Sequence, residues 1–214
     1  TRCLRTHLTR KPVPIPGCDP SEQYTPADIK LTKGYSKYIY CGIDTEELDR
    51  CFDNIGIVDD IVCFEPNEHQ VNNLVTYFKK HRNKVLRNVV IYPCAIYSKE
   101  AKMPFIDGGR SAFWNRISDN GNHIVQCVSI DNVIPDFKPT FISMDIEGSE
   151  LEALRGAENT IRESCPDMAV CVYHSPSHLW QVPLYLHKIV PEYKFYLRNY
   201  TTFTTETVLY AAQK

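Results

Sequence analysis

Gly42, Glu65, Asp145, Glu147 and His174 each lie just beyond a short apolar run, and each offers a group that a packed core has no use for. Glu65 closes Ile61-Val62-Cys63-Phe64 and stands 23 residues after Gly42, which itself closes Tyr38-Ile39-Tyr40-Cys41. An acid ending a second strand, about 20 residues past a first-loop glycine, is placed to accept hydrogen bonds from both hydroxyls of a ribose. Asp145 ends Thr140-Phe141-Ile142-Ser143-Met144 and opens the string Asp145-Ile146-Glu147-Gly148-Ser149-Glu150. A carboxylate there could bind a ligand ammonium, orient a substrate hydroxyl or help hold a metal. His174 follows Met168-Ala169-Val170-Cys171-Val172-Tyr173, and an imidazole that titrates near neutrality suits a base that removes a hydroxyl proton. Plainer readings stand beside these. Glu65 could be a solvated strand end, Glu147 and Glu150 could simply favour a helix N-terminus, and His174 could bond backbone in a turn. His178 and His187 fall in a helical region and read as structural.

The elements that must position these groups alternate along the chain. Strand-like runs at 38–41, 61–64, 89–92, 140–144 and 168–173 are interleaved with helical stretches, the mark of βα units and a parallel sheet. One helix follows Gly42 over Thr45 to Phe52. A second carries Val71, Leu74, Val75 and Phe78 on one face, with Asn67 and Gln70 spaced as N-cap and N3. The third strand leads into Pro93-Cys94-Ala95-Ile96. Residues 97–128 hold the turn signals Asp107-Gly108-Gly109 and Asn120-Gly121 and predict an antiparallel excursion. Ser149 and Glu152 have capping-box spacing for a helix carrying Leu151, Leu154 and Ile161. A helix over Val182 to Ile189 and two short strands, 193–197 and 207–211, finish the chain. Because parallel strands share a carboxyl edge, the five residues converge on one crevice, where open α/β sheets bind ligands.

The 214 residues hold 43% hydrophobic and 23% charged side chains, enough for a core, with a net charge of −2. That balance offers no footprint for nucleic acid or an anionic membrane. The cluster Lys79, Lys80, His81, Arg82 and Lys84 reads as a solvated helix end favoured by the macrodipole. No apolar run reaches the length of a membrane span. Nine cysteines, an odd count without CxxC spacing, argue against a disulfide framework or zinc knuckle and for a reducing, cytoplasmic setting. Residues 1–34 carry five of the 14 prolines and read as an irregular N-terminal arm with at most a short helix near Pro26-Ala27-Asp28, leaving 35–214 as the domain. The chain opens on Thr1 and not Met, as a trimmed chain or one domain of a longer protein would, and it is expected to work within a larger polypeptide or as an oligomer.

The stretch from Pro139 to Ala157, with Asp145-Ile146-Glu147-Gly148-Ser149-Glu150 and Leu154-Arg155-Gly156-Ala157, resembles the FkbM-type methyltransferases that use S-adenosylmethionine (SAM). Phe64-Glu65-Pro66-Asn67, Ser129-Ile130-Asp131, Val172-Tyr173-His174-Ser175-Pro176 and the terminal Glu206 to Ala211 extend the likeness over about 37–212. The resemblance implies a Rossmann-like sheet of seven strands, mostly parallel with a reversed last strand. It implies methyl transfer from SAM to a hydroxyl of a small molecule or glycan. The cofactor would meet Cys41, Gly42, Glu65, Pro66, Ala95, Ile96 and Asp145; Asp145, Glu147 and His174 would face the transferred methyl, with no metal. The first loop departs from the family pattern: Tyr40 stands where an acid is usual, Ile43 replaces an alanine, and the second glycine is missing. That departure motivates a second reading, a non-catalytic binding or scaffolding domain of the same fold. The absence of GxGxxG counts against a third, a nicotinamide-dependent oxidoreductase.

Overall fold

A computed structural model of the chain describes residues 18–42, 44–109, 115–201 and 205–213. In chain order the elements are β1 (Lys37–Cys41), α1 (Thr45–Ile55), β2 (Val58–Phe64), α2 (Glu68–Lys80), β3 (Val85–Tyr92), β4 (Ala95–Ile96), β5 (Ala101–Ile106) and β6 (Arg116–Ile117). Then follow β7 (His123–Val128), the single turn α3 (Ile130–Val133), β8 (Phe141–Met144), α4 (Glu150–Arg155), α5 (Glu158–Ser164), β9 (Asp167–Cys171), α6 (His178–Ile189), β10 (Lys194–Asn199) and β11 (Thr207–Ala212).

The main sheet has seven strands in the order β10-β11-β9-β8-β1-β2-β3. Strands β9, β8, β1, β2 and β3 pair in parallel, and β11 runs antiparallel to both β9 and β10. This is the mostly parallel sheet with a reversed last strand. Its period-two alternation sends residues to two cores. Ile39, Cys41, Ile142, Met144 and Val170 face an aliphatic cluster with α4, α5 and α6. Tyr38, Tyr40, Phe141, Ala169 and Tyr210 face a tyrosine-rich cluster with α1 and α2. The excursion after β4 is a second sheet, β4-β7-β5-β6, with β5 antiparallel to β6 and β7.

Three local expectations are corrected. The short helix expected near Pro26 is a 3₁₀ turn at Pro20–Glu22, where the Asp19 carboxylate accepts from Ser21 N. The arm from Cys18 onward folds onto the domain, burying Tyr24 and Ile29 completely or nearly so. The helix expected through Ile161 is two helices, because the chain breaks at Gly156-Ala157. Ser149 makes no capping bond; Glu152 instead accepts from Ser98 and pairs with Arg155. The Asn67 cap is present, its Oδ1 accepting from Gln70 N at 2.9 Å. All eight described cysteines are free thiols, six of them buried. Among the described residues no helix is long and apolar enough to cross a membrane.

Gly156, at the break, sits where a side chain has no room. A Cβ there would lie 2.0 Å from the Tyr97 carbonyl oxygen and 3.1 Å from Ser129 Cβ, so the helix pair and the second sheet meet on a bare backbone. Gly156→Ala is expected to lower unfolding free energy by about 1–3 kcal/mol through overpacking alone, since its φ of −77° suits any residue. Chemical denaturation measures it; unchanged stability would show that the joint is loose.

Candidate functional site

The loops at the carboxyl edge of β1, β2 and β8, together with β4, surround one open cavity. Gly42, Glu65, Pro66, Ala95, Ile96, Asp145 and Glu147 all line it. Gly42 sits at φ +74°, and a Cβ would strike the Asp145 carbonyl oxygen at 2.1 Å. The glycine therefore lets the loops after β1 and β8 pack backbone against backbone. Cys41 and His174 do not line the cavity. The Cys41 side chain is fully buried, and its carbonyl accepts from Asp145 N at 3.0 Å, which positions that residue.

Glu65 is 6% exposed, and its Oε1 accepts from Asn67 N at 2.7 Å. Burial pushes its pKa up to about 7 against that hydrogen bond, with the charge of Asp107 pushing the same way. Asn67 Nδ2 also donates to Asp107 Oδ1 at 2.7 Å, tying the second sheet to this corner. The second sheet supplies Phe105, Asn115, Arg116 and Ile117 to the cavity wall. Sequence reasoning missed these, because they belong to short strands whose approach is set by tertiary packing.

At the opposite end, β8 delivers Asp145 and a tight turn delivers Glu147, whose φ of 54° is left-handed, followed by Gly148 at 102°. That turn is held from within. Glu150, completely buried, accepts through Oε1 from Ile146 N at 3.1 Å, Gly148 N at 3.3 Å and His174 Nδ1 at 2.8 Å. Its Oε2 lies 3.2 Å from His178 Nδ1, out of hydrogen-bonding alignment. Burial raises the Glu150 pKa, but the two histidines prevail and hold it down at about 2. His174 follows β9 by three residues, not directly as expected, because the strand ends at Cys171. Its Nε2 faces Asp145 Oδ1 at 3.3 Å and Glu147 Oε2 at 3.4 Å. Burial pulls its pKa down, and the surrounding Glu150, Asp145 and Glu147 more than offset that, raising it to about 9. A ring so surrounded is an imidazolium when it stands alone at neutral pH, not the neutral base that its strand-end position suggests. Asp145 rises to about 6 and Glu147 to about 7, burial being the first cause and the His174 charge opposing it in both.

Asp145 is also fixed by residues far away in the chain. Tyr24 of the N-terminal arm donates to Oδ2 at 2.9 Å, and the Tyr173 hydroxyl stands 3.4 Å from both oxygens. No local motif marks Tyr24 as part of a site. His178, expected to be structural, is buried against Glu150, while His187 is exposed.

A seven-stranded sheet with a reversed strand and a cavity at the carboxyl edge of its central strands is the architecture of a methyltransferase. The sequence profile described as the methyltransferase FkbM domain matches residues 22–200, and the chain belongs to that family. In structure it is similar to methyltransferase FkbM from Methylobacillus flagellatus KT, with TM-score 0.75 and 25% identity, covering 97% of this chain and 52% of that one. The chain thus spans about half the length of that protein. A more distant similarity is to Aeropyrum pernix fibrillarin in complex with natively bound S-adenosyl-L-methionine, with TM-score 0.48 and 10% identity over 86% of this chain and 70% of that chain. It is too remote to bear on this chain's chemistry. No curated protein matches the sequence.

Removing one partner from a buried charge network is costly, about 3–5 kcal/mol. Glu150→Gln should lose stability on that scale, whereas Glu163→Gln on an exposed face of α5 should stay within about 0.5 kcal/mol. Equal effects in denaturant titrations would remove Glu150 as the organiser of the loop.

Proposed function

We propose that this chain is an O-methyltransferase that uses SAM and acts on a hydroxyl of a small molecule or glycan. What supports the reading is one cavity lined at one end by Glu65, Ala95 and Ile96 and at the other by Asp145 and Glu147. The lining suits the cofactor. Among the described lining residues four carboxylates, Asp44, Glu65, Asp145 and Glu147, face a single cation, Arg116. Such a field favours a ligand bearing sulfonium and ammonium charges. When bound, SAM supplies a methyl group already activated on positively charged sulfur.

The chain's own residues have modest tasks. Glu65 presents its free carboxylate oxygen to the ribose diol while Asn67 N holds the other, and Phe64, Ala95 and Ile96 offer apolar walls to adenine. Asp145 and Glu147, which line the cavity, orient the acceptor hydroxyl and remove its proton while the charged His174 holds them from behind, so that the acceptor oxygen bonds the methyl carbon as the carbon–sulfur bond breaks. A binding-only role is the second reading, favoured by Tyr40. Its hydroxyl donates to the Asp44 carbonyl at 2.5 Å, closing the first loop where the family usually carries an acid.

Calorimetric titration with SAM tests the assignment. Glu65→Ala should weaken binding by about 1.5–3 kcal/mol, the scale of hydrogen bonds to a charged group. Unchanged affinity would remove the ribose role. Because the ionised form of Glu65 is the better acceptor and its pKa is raised to about 7, affinity should fall as pH drops through 7. Glu65→Gln should flatten that dependence; a profile identical to wild type would assign it to another group.

A further inference from the structure

Three buried side-chain atoms among the described residues lack a hydrogen-bond partner: Glu150 Oε2, His174 Nε2 and His178 Nδ1. All three belong to one cluster behind the Asp145–Glu147 end of the cavity. Native interiors rarely leave such atoms unpaired, and a cluster of them marks a place where water or an ion belongs. His174 is the informative member. Its side chain is 8% exposed, its Nδ1 is engaged by the buried Glu150 at 2.8 Å, and its free Nε2 is aimed between Asp145 Oδ1 and Glu147 Oε2.

A carboxylate on one ring nitrogen, fixing the tautomer so that the other presents its lone pair, is how proteins prepare a histidine to bind a metal. Ligand atoms of Asp145, Glu150 and His174 lie within 4.8 Å of one another. Nε2 stands 3.3 Å from Asp145 Oδ1 and 3.4 Å from Glu147 Oε2, close enough for a cation bound to the ring at about 2.0–2.2 Å to reach either carboxylate. Three carboxylates around one imidazole also leave a negative excess that a divalent ion would balance. We infer that this cluster is a divalent transition-metal site, with His174 Nε2, Asp145 and Glu147 as ligands and Glu150 as the positioning residue behind His174. One imidazole and two carboxylates form a mixed nitrogen and oxygen donor set that first-row divalent ions, zinc and cobalt(II) among them, accept. Three protein ligands leave a coordination position, and Asp145 and Glu147 line the cavity, so that position opens towards it.

The site's use rests on the methyltransferase reading. An acceptor hydroxyl taking the open position loses its proton to solvent more readily. Its oxygen electron pair then forms the new bond to the methyl carbon, and the sulfur keeps the pair of the bond that breaks. The products are a methyl ether, a neutral thioether and one proton.

The test titrates the metal-stripped full chain with zinc by calorimetry and with cobalt(II) by optical absorption, and titrates SAM separately. One saturable zinc equivalent with the visible cobalt bands of tetrahedral coordination is expected. Asp145→Asn and His174→Gln should abolish the bands, and Glu150→Gln should weaken zinc binding about 10–100-fold. Since Glu150→Gln also lowers stability, Asp145→Asn, monitored for folding by circular dichroism, carries the decision. No saturable binding, or binding indifferent to Asp145→Asn in the folded protein, overturns the site even if SAM binds normally. Competition between zinc and SAM would also overturn it, because the corner would then hold the cofactor's ammonium. Zinc binding without SAM binding would instead uphold the metal site and remove the methyltransferase reading.

Discussion

The buried carboxylate of Glu150 is the interaction on which the rest of the site depends. It holds two backbone amides of the Asp145–Gly148 turn and one ring nitrogen of His174. A carboxylate taken wholly out of water survives only when its lone pairs are used. The left-handed Glu147 costs of the order of 1–3 kcal/mol in backbone strain, and those bonds are what over-determine its conformation. In this way one acid that never reaches the cavity sets the direction of the two that do.

Around that anchor the sheet acts as a jig. Asp145 N bonds the Cys41 carbonyl, and Gly42 N bonds the Phe64 carbonyl, so the ends of β8, β1 and β2 are registered to one another by backbone alone. The close approach of the loops after β1 and β8 needs Gly42, since any side chain there meets the Asp145 carbonyl. The N-terminal arm completes the arrangement, its Tyr24 hydroxyl reaching Asp145 across 121 positions of sequence. Gln23, beside it, donates to Glu206 at 2.7 Å, joining the arm to the β10–β11 hairpin.

The parallel core was legible because its signals are local: apolar runs of strand length, each followed by a charged or small residue and an amphipathic helix. The antiparallel excursion was legible from its turns, though Gly108-Gly109 is followed by residues outside those described. Of the candidate site residues, those directly at strand ends fell where periodicity placed them. What was not legible depends on tertiary contact. The spacing of Ser149 and Glu152 suggested a capping box, but Glu150 took the neighbouring amides and left Ser149 without a capping bond. The protonation of His174 could not be read from its ordinary pKa, because three carboxylates from another segment surround it. Tyr24 and Arg116 carry no motif, and only the folded chain brings Tyr24 to Asp145 and Arg116 to the cavity wall.

The proposed chemistry requires that one cavity have a ribose end and a methyl end. A crystal structure of the protein soaked with S-adenosylhomocysteine addresses that directly. The expected result is a ribose on Glu65, adenine beside Ala95 and Ile96, and the sulfur turned towards Asp145 and Glu147. A ligand bound elsewhere, or bound here with its sulfur turned away from the acid corner, would contradict it.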